Sequence, residues 1–485
     1  MTERDGSILV VDVGTSGVRG AVVRSDATVG AARYRQVLPS SPAPGLVEFD
    51  PSAMADAALD VARAALAAGG AVAAVAVSNQ RASTVVWERA TGKPVGPGLG
   101  WQDLRTVGAC LVWQSQGLRF APNESATKLA HLLDEADPER RRDLCFGTVD
   151  TWIAWHLSGG ELHVTDLSNA AVTGLVRGDA SDWNPAVLEA LRVPESVLPE
   201  LVDTSGIIGP AGALPGAPPL AALAGDQQAS LVGQGCVHPG MAKITFGTGG
   251  MLDMCVGPER PAFERQGEQG TFPIVAWRRE GKLAWGVEAV MLAAGTNVEW
   301  LRDDLGLIAT AEESHDVASA CETADGVMYV PALLGLGTPR WDYGARGTLL
   351  GITRGTGRCE LVRAVLEGVA HRGADLVEAT ESDTGLSIPR LRVDGGMSSN
   401  PTFVQALADA TSRPVEVSPE REATTLGAGY LAGLAVGTWS GWDDIAAGWH
   451  PAAVVEPARD PDRARWREAV ERAAGWEPDL SAISF

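Results

Sequence analysis

A single carboxylate, Asp12, interrupts the apolar segment ILVVDVGTSGVRGAVV at residues 8–23. Burying a carboxylate in a strand is costly unless a nearby group compensates its charge. Turn glycines expose backbone N–H groups, hydroxyls donate, and arginine forms charge-assisted contacts with phosphate. Four residues after Asp12 offer such donors: Gly14, Thr15, Ser16 and Arg19. A phosphate with a bridging Mg2+ ion would compensate Asp12. A hairpin whose aspartate caps its own turn explains the same residues equally well.

A second candidate is Asp226, which follows an apolar approach in the segment AALAGDQQ at residues 221–228. A carboxylate placed there can accept the proton of a substrate hydroxyl while that hydroxyl attacks phosphorus. Gln227 can orient the same hydroxyl. Taken alone, the segment favours an ordinary aspartate in a surface turn.

Two residues between these segments offer the lining of a pocket for a small polyhydroxylated compound. The guanidinium of Arg81 can donate to hydroxyls, and the indole of Trp101 can cover the C–H side of the compound. Arginine and tryptophan in loops are more often surface or packing residues. The chain contains neither the P-loop pattern GxxxxGK[ST] nor the dinucleotide pattern GxGxxG, so another phosphate-binding device is needed.

The segments that would position these residues alternate between strands and helices, which predicts an α/β fold. Residues 8–13 and 18–23 predict a hairpin around the turn that begins at Gly14. A similar strand-turn-strand unit recurs around Gly247 and Thr248. Two such units half a chain apart indicate a duplicated architecture, although the repeat is one of pattern rather than of sequence.

Other elements follow from local signals. Residues 72–79 predict a strand and residues 358–380 a helix, while Asn400 before Pro401 predicts the capped start of a further helix. The Pro and Gly density of residues 212–228 places that segment outside regular elements. Three glycines are expected to let a small-residue helix pack close to its neighbours: Gly427, Gly429 and Gly433.

The bulk properties limit the classes of function. A chain of 485 residues predicts two domains, 1–239 and 240–485. The net charge of -22 argues against a nucleic-acid or anionic-membrane surface, since both need clustered Lys and Arg. Six cysteines without a CxxC pair predict reduced, mostly buried thiols. The start lacks export-signal features, and no apolar run approaches the ~18 residues of a membrane span, so we expect a cytoplasmic protein.

Seven segments in this order resemble the FGGY family of carbohydrate kinases, closest to its glycerol kinase branch: VDVGTSGVRG, NQRASTVVWERATGKPVG, WQDLRT, FGTVDTWIAWHLSGGELHVTDLSNA, AGDQQASLVGQGCVHPGMAKITFGTGG, ARGTLLGITRGTGRCELVRAVLEGVA and DGGMSSNPTFVQALADATSRPVEV. The resemblance extends over residues 8–477. It implies two ribonuclease-H-like domains of the actin/hexokinase/Hsp70 type with a cleft between them. Residues 1–239 would then bind the substrate and hold the base, and residues 240–485 would bind the nucleotide.

The resemblance also implies roles for residues at matching positions. Asp226 is similar to the family's catalytic base, and Asp12 with Asp226 to the carboxylates near Mg2+. ATP would contact the following residues: Gly14, Thr15, Ser16, Arg19, Thr248, Gly249, Gly295, Glu299, Gly396 and Asn400. Glu299 departs from the family, which usually has glutamine there.

The substrate pocket implied by the resemblance consists of seven residues: Arg81, Ala82, Trp101, Asn123, Asp226, Gln227 and Met251. Three of them depart from the glycerol kinase pattern, since Ala82 replaces a glutamate, Asn123 a tyrosine and Met251 a phenylalanine. Losing a carboxylate that accepts hydroxyl hydrogens removes part of the site's discrimination. We expect phosphorylation of glycerol to glycerol 3-phosphate, and a longer polyol or ketose (erythritol, a pentitol, a xylulose-like sugar) stays open.

Two other classes also stay open. A catalytically weak sugar-binding regulator would account for the altered pocket. An actin- or Hsp70-like ATPase would share the hairpins but has no reason to combine GDQQ with NQR and WQD. We further expect a homodimer or other homo-oligomer, and no regulation by fructose bisphosphate because the corresponding loop, residues 205–221, is short.

Overall fold

The computed structural model describes residues 6–420 and 422–483. Within them the strands are β1 Ile8–Val13, β2 Gly17–Val23, β3 Arg33–Gln36, β4 Glu48–Phe49, β5 Ala74–Asn79, β6 Val85–Glu88, β7 Gly98–Leu99, β8 Leu144–Gly147, β9 Val164–Asp166, β10 Glu200–Val202, β11 Ser205–Pro210, β12 Pro219–Gly225, β13 Ala242–Phe246, β14 Gly250–Gly257, β15 Phe272–Arg279, β16 Lys282–Met291, β17 Met328–Val330, β18 Thr348–Leu350, β19 Leu391–Asp394, β20 Val415–Val417 and β21 Ala453–Val455.

The helices in the same residues are α1 Pro51–Gly69, α2 Val107–Ser115, α3 Ala126–Ala136, α4 Val149–Ser158, α5 Leu167–Ala170, α6 Pro185–Ala190, α7 Asp226–Gly233, α8 Thr296–Asp303, α9 Glu313–Ser319, α10 Arg358–Thr384, α11 Pro401–Thr411, α12 Ala423–Val436, α13 Trp442–Gly448, α14 Arg463–Ala473 and α15 Pro478–Ser481. Two 3₁₀ turns cover Glu195–Val197 and Gly396–Ser399. Among the helices described, none combines the length and apolar character needed to cross a membrane.

The largest sheet repeats one topology in the two halves of the chain. In the first half, β3, β2 and β1 are antiparallel neighbours, and β5 and β12 continue the sheet parallel to β1. In the second half, β16, β14 and β13 are antiparallel, and β19 and β20 continue parallel to β13. β11 and β15 join the halves edge to edge. The predicted duplication and α/β class are therefore confirmed.

β1 is almost wholly apolar because both of its faces are covered. Leu9 and Val11 belong to the core beneath α1, whereas Ile8 and Val10 face the core that α12 closes from the other side. A strand buried on both faces needs apolar residues at odd and even positions alike. Asp12 shares the face of Ile8 and Val10 and is the polar exception on it.

The parallel strands of each half end at one edge of the sheet, and this edge collects the candidate residues. Val13, Asn79 and Gly225 end β1, β5 and β12 and are register neighbours. The turn at Gly14, the loop at Arg81 and the helix that starts with Asp226 therefore emerge side by side. In open α/β sheets, this edge is where ligands bind.

Helix α12 crosses α7 at very short range, with glycines at the points of contact. A Cβ atom added to Gly427 would overlap the carbonyl oxygen of Ala229, and one added to Gly233 would overlap that of Ala423. Gly429 and Gly433 likewise pack closely, against Val23 and Trp439. The small-residue interpretation of this helix is confirmed.

Other local predictions also agree with the structure. The strand expected within residues 72–79 is β5, and α10 begins at the predicted residue 358 and runs on to Thr384. Asn400 caps α11, since its side chain accepts from the N–H of Phe403 at 3.1 Å and Pro401 occupies the first turn.

The expectation for residues 212–228 is wrong over its second half. Pro219–Gly225 form the buried strand β12, and α7 begins immediately afterwards at Asp226. The prolines end at Pro219, the first residue of the strand, where a missing N–H is tolerated. The apolar run LAALAG that follows was therefore the stronger signal.

The expectation that all thiols are reduced is also wrong. Cys321 and Cys359 form a disulfide between the segment after α9 and the start of α10, with Cα atoms 6.0 Å apart. The pair is separated by 38 residues and has no local motif, so spacing in the sequence does not reveal it. The other four cysteines are free and buried, as predicted: Cys110, Cys145, Cys236 and Cys255.

We predict that Gly427→Ala destabilises the protein by about 3 kcal/mol or more, because the new methyl group must push α12 away from α7. The matched control is Gly108→Ala in α2, where an added Cβ meets nothing within 4 Å. That change should be neutral or stabilise by up to about 1 kcal/mol, since alanine is the better helix former. Thermal and urea unfolding of both variants measure the difference, and equal effects would contradict the close crossing.

Candidate active site

The charge of Asp12 is only partly compensated by the protein. Arg19, Asp12 and Ser78 are register neighbours on β2, β1 and β5. Ser78 Oγ donates to Asp12 Oδ1 at 2.9 Å, but the nearest arginine nitrogen, Nη1 of Arg19, lies 3.8 Å from Oδ2. That guanidinium instead donates to Glu422. Burial raises the pKa of Asp12 to about 6 against the lowering effects of Ser78 and Arg19.

The first glycine turn contains a backbone hydrogen bond of its own and is contacted by the indole of Trp101. The N–H of Gly14 donates to the carbonyl of Gly17 at 3.0 Å. Trp101 Nε1 points to Thr15 Oγ1 at 3.4 Å, so the pocket tryptophan contacts the turn. Ser16 remains exposed beside them. The structure thus brings a candidate substrate residue and two candidate phosphate contacts together.

The second glycine turn is held by hydrogen bonds from the residues that precede α8. Gly247 accepts from the N–H of Gly295 at 2.9 Å, and Thr248 accepts from that of Ala294 at 2.8 Å. A Cβ on Gly295 would lie 2.6 Å from the oxygen of Gly247, and one on Gly249 would lie 2.8 Å from that of Met291. Glycine is therefore required at both positions, while Gly247 and Thr248 themselves stay exposed.

The remaining candidate nucleotide residues are positioned by α8 and by the turn after β19. Glu299 lies one turn into α8, its side chain exposed and its N–H donating to Gly295 at 3.1 Å. Gly396 is exposed, and an added Cβ there would meet nothing within 4 Å. Both ends of the Asn400 side chain are hydrogen-bonded within the protein. Its oxygen caps α11, and its Nδ2 donates to Ser314 Oγ at 2.9 Å.

Asp226 lies at the junction of the two halves. It is the first residue of α7, its Oδ1 accepts from the N–H of Gln227 at 2.9 Å, and Nε of Arg81 lies 3.6 Å away. The side chain is 35% exposed, so a substrate can reach it. Burial nevertheless raises the pKa of Asp226, while Arg81 lowers it. Asp226 is also close enough to Asp12 to raise the pKa of that residue.

A row of charged side chains beneath Asp226 is absent from the sequence expectations. Lys243 on β13 is the register partner of Asp253 on β14, which is in turn the partner of Glu288 on β16. Lys243 Nζ lies 2.8 Å from Asp253 Oδ2, with both side chains fully buried. The signal was available, since Lys243 and Asp253 are the charged exceptions in their apolar strands and Glu288 is the acidic residue of β16.

This row supports the two candidate residues on either side of Asp226. Lys243 Nζ donates to Gln227 Oε1 and to Thr245 Oγ1, both at 2.9 Å. Glu288 Oε2 accepts from Arg81 Nη2 at 2.6 Å. Strands of the second half therefore hold the residues that flank the candidate base of the first half.

The other pocket candidates are arranged less uniformly. Ala82 is buried with a positive φ of 59°, and its carbonyl accepts from Ser125 Oγ at 2.9 Å. Met251 is half-buried on β14, two residues from Asp253 on the same face and paired with Val290. Asn123 is exposed. Arg81, Trp101 and Gln227 are thus connected to the turn or the base by contacts, whereas Asn123 is not.

The donor set at Asp12 and Asp226 fits a hard divalent cation. Both offer carboxylate oxygens, and Mg2+ is usually bound by one or two carboxylates with substrate phosphates and water. The pKa of Asp12, raised to about 6 by burial, marks a charge that a cation would stabilise. A search of the described residues for three or more clustered metal-ligand side chains finds Cys321, Cys359 and Glu360. The two cysteines of that cluster are bonded to each other in the disulfide and are not free ligands.

Comparison with known proteins gives consistent matches. Residues 7–233 match the model of the N-terminal domain, and residues 242–436 that of the C-terminal domain, of the FGGY family of carbohydrate kinases. A glycerol kinase of Aromatoleum aromaticum is 42% identical over 97% of this chain and 99% of its own. Glycerol kinase 2 of Thermotoga maritima is 39% identical over 97% and 99%.

Solved structures agree with these sequences. The structure of Plasmodium falciparum glycerol kinase with ADP superposes with a TM-score of 0.89 at 27% identity, covering 99% of each chain. A ligand-bound xylulose kinase of Lactobacillus acidophilus gives a TM-score of 0.85 at 20% identity, covering 98% of each, and thus shows the same fold.

We predict that Asp12→Asn stabilises the metal-free protein at pH 7.5. Folding raises the pKa of Asp12 from an ordinary value near 4 to about 6. The folded state therefore favours the protonated carboxyl, and the stability present below pH 4 is lost as the pH rises through 6 and Asp12 ionises in the folded protein. Asparagine avoids that loss, which is roughly 3 kcal/mol at most. Calorimetry in EDTA should show a higher Tm for the variant at pH 7.5 and a small difference near pH 4. A lower Tm at pH 7.5 would contradict the incomplete compensation of Asp12.

Proposed function

The chain belongs to the FGGY family of carbohydrate kinases, and from that membership we propose that it is a glycerol kinase that transfers the terminal phosphoryl group of ATP to a hydroxyl of glycerol. It is a phosphotransferase with an alcohol group as acceptor. The observation that carries the choice of glycerol is identity of 39–42% to glycerol kinases over nearly the whole of both chains. The location of Asp226 at the junction of the two halves supports the chemistry.

In the proposed reaction, Asp226 accepts the proton of the attacking hydroxyl. The raised pKa of this carboxyl makes it a stronger base than an exposed aspartate. Gln227 assists, because Lys243 occupies its Oε1 and leaves its NH₂ group to donate to the substrate oxygen. Arg81 donates to a second hydroxyl, and the indole of Trp101 covers the C–H side of the polyol.

The two glycine turns would hold ATP from opposite halves of the chain. Their exposed residues, Ser16 in the first turn and Gly247 and Thr248 in the second, offer N–H groups and hydroxyls to phosphate oxygens. Asp12 and Asp226 would hold Mg2+, which supplies positive charge to the phosphoryl oxygens. Charge that develops on the transferred group is thus met by donors already in place.

A second candidate function is phosphorylation of a longer polyol or a ketose. Ala82 favours it, since this buried methyl group is smaller than the glutamate that the family resemblance implies at the position. Asn123, where the family resemblance implies a tyrosine, is exposed and supplies no aromatic ring to the substrate. The reaction and its base would be unchanged in this alternative.

The division of labour between residues 1–239 and 240–485 is likewise a proposal. It is supported by α7, which ends at Gly233, by β13, which begins at Ala242, and by the same topology on both sides. A cytoplasmic location is proposed because the reaction draws on cytoplasmic ATP. The homo-oligomer stays a prediction.

We predict that, among alcohol acceptors, glycerol gives the highest kcat/KM. A coupled assay of ADP release over glycerol, erythritol, pentitols and ketopentoses measures it, with acceptor-free reactions as controls. A higher kcat/KM for another polyol or a ketose would replace glycerol with that compound and retain the kinase.

We predict that Asp226→Asn lowers kcat by about 10²- to 10⁴-fold, the usual contribution of a general base. Nucleotide binding measured by calorimetry should persist, since the turns at Gly14 and Gly247 are untouched. The control is Asp304→Asn, which removes an exposed carboxylate at the end of α8. Substantial activity in Asp226→Asn would remove this residue as the base.

A further inference from the structure

Ala82, a candidate pocket residue, offers no side-chain acceptor to a polyol hydroxyl. The side chain of Ala82 is a methyl group, and its carbonyl is already used by the hydroxyls of Ser125 and Thr84. An acceptor for a second or third hydroxyl would therefore come from another residue that lines the pocket. Residues that contact Arg81 lie near the reacting hydroxyl, because Arg81 itself contacts the candidate base Asp226.

Glu288 is the carboxylate that occupies this place. It stands on β16, its side chain is 12% exposed, and its Oε2 accepts from Arg81 Nη2 at 2.6 Å. Within the described residues no hydrogen bond engages its other oxygen, Oε1. Met251, a candidate pocket residue, is paired with Val290, the next residue on the same face of β16. Glu288 therefore faces the side of the sheet that carries the pocket.

Arg81 provides a matching observation. Its Nη1 is buried and has no hydrogen-bond partner in the described structure. A buried donor left without a partner costs free energy, so such a group indicates an acceptor that the protein itself does not supply. Nη1 of Arg81 and Oε1 of Glu288 together offer one donor and one acceptor beside Asp226.

We infer that Arg81 and Glu288 form a diol-binding pair, in which Glu288 determines specificity by accepting a hydrogen bond from a hydroxyl that is not phosphorylated. The inference rests on the proposed polyol kinase function. One substrate hydroxyl reacts at Asp226, another accepts from Arg81 Nη1, and the hydroxyl held by Glu288 donates to Oε1. Glu288 thereby supplies a carboxylate acceptor that the methyl side chain of Ala82 does not offer.

Glu124 is the competing carboxylate, since it adjoins Ser125, whose hydroxyl binds the carbonyl of Ala82. Its two oxygens are turned to other partners. Oε2 accepts from the N–H of Ala121 at 3.1 Å, and Oε1 lies 3.5 Å from Nη2 of Arg265. The geometry therefore favours Glu288 as the residue that contacts the substrate.

The test compares Glu288→Gln with the unchanged protein on three acceptors: glycerol, 1,2-propanediol and 1,3-propanediol. Each diol lacks one hydroxyl of glycerol, and its kcat/KM, or its Ki against glycerol, is measured. With glycerol we expect kcat/KM to fall about tenfold, mainly through KM, because a charge-assisted hydrogen bond is lost. The loss should nearly vanish with the one diol that lacks the bonded hydroxyl.

The matched control is Glu416→Gln. Glu416 also stands on a strand of the large sheet, is 11% exposed and binds an arginine, with Oε1 3.0 Å from Nη1 of Arg390. This change should leave the polyol KM unaltered. Glu288→Asp keeps the charge and should lose less than Glu288→Gln, which provides a second reading if the amide variant folds poorly.

Three results would overturn the inference. An equal loss with all three acceptors would mean that Glu288 acts only through Arg81, and no loss would exclude the contact. A selective loss in Glu124→Gln instead would assign the role to Glu124. Failure of the proposed function is a separate observation, since the unchanged protein would then release no ADP in response to glycerol.

Discussion

The guanidinium of Arg81, held between Asp226 and Glu288, is the interaction on which the rest of the site depends. One carboxylate follows a strand of the first half, and the other lies on a strand of the second. Arginine keeps its charge and offers five N–H donors in fixed directions, so one guanidinium can bind both carboxylates and still donate a hydrogen bond to a substrate. Ion pairs therefore join the two halves at this point, beside the apolar packing of α12 on the sheet of the first half.

Residue pattern predicts the α/β class and a few candidates such as Asp12 because these depend on local signals, whereas the two-domain fold and most site residues were implied by the resemblance to the FGGY family. The hairpin at residues 8–23 follows from apolar runs and glycine, and the cap of α11 from Asn400 and Pro401. The order of strands in the sheet then brings the candidates together, because β1, β5 and β12 are far apart in sequence and adjacent in the sheet. What could not be predicted is pairing across strands, as for Lys243 with Asp253, and across loops, as for Cys321 with Cys359.

Stability and chemistry oppose each other at this site. Asp12 is held with a raised pKa and an arginine engaged elsewhere, which disfavours the folded protein at neutral pH. Nη1 of Arg81 is buried without a partner at a similar cost. Both deficits are of the kind that a bound ligand relieves: a cation for the carboxylate and a hydroxyl for the guanidinium. Substrates would therefore stabilise this protein as they bind.

The close crossing of α12 on α7 connects two parts of the candidate site. Glu422, the residue at the N-terminal cap of α12, binds Arg19, while the body of α12 rests backbone to backbone on the helix that begins with Asp226. Glycine at positions 427 and 233 lets the two backbones approach this closely, and no larger residue fits at either position. A larger residue at either glycine would therefore displace the helix that begins with Asp226 together with the one that Glu422 caps.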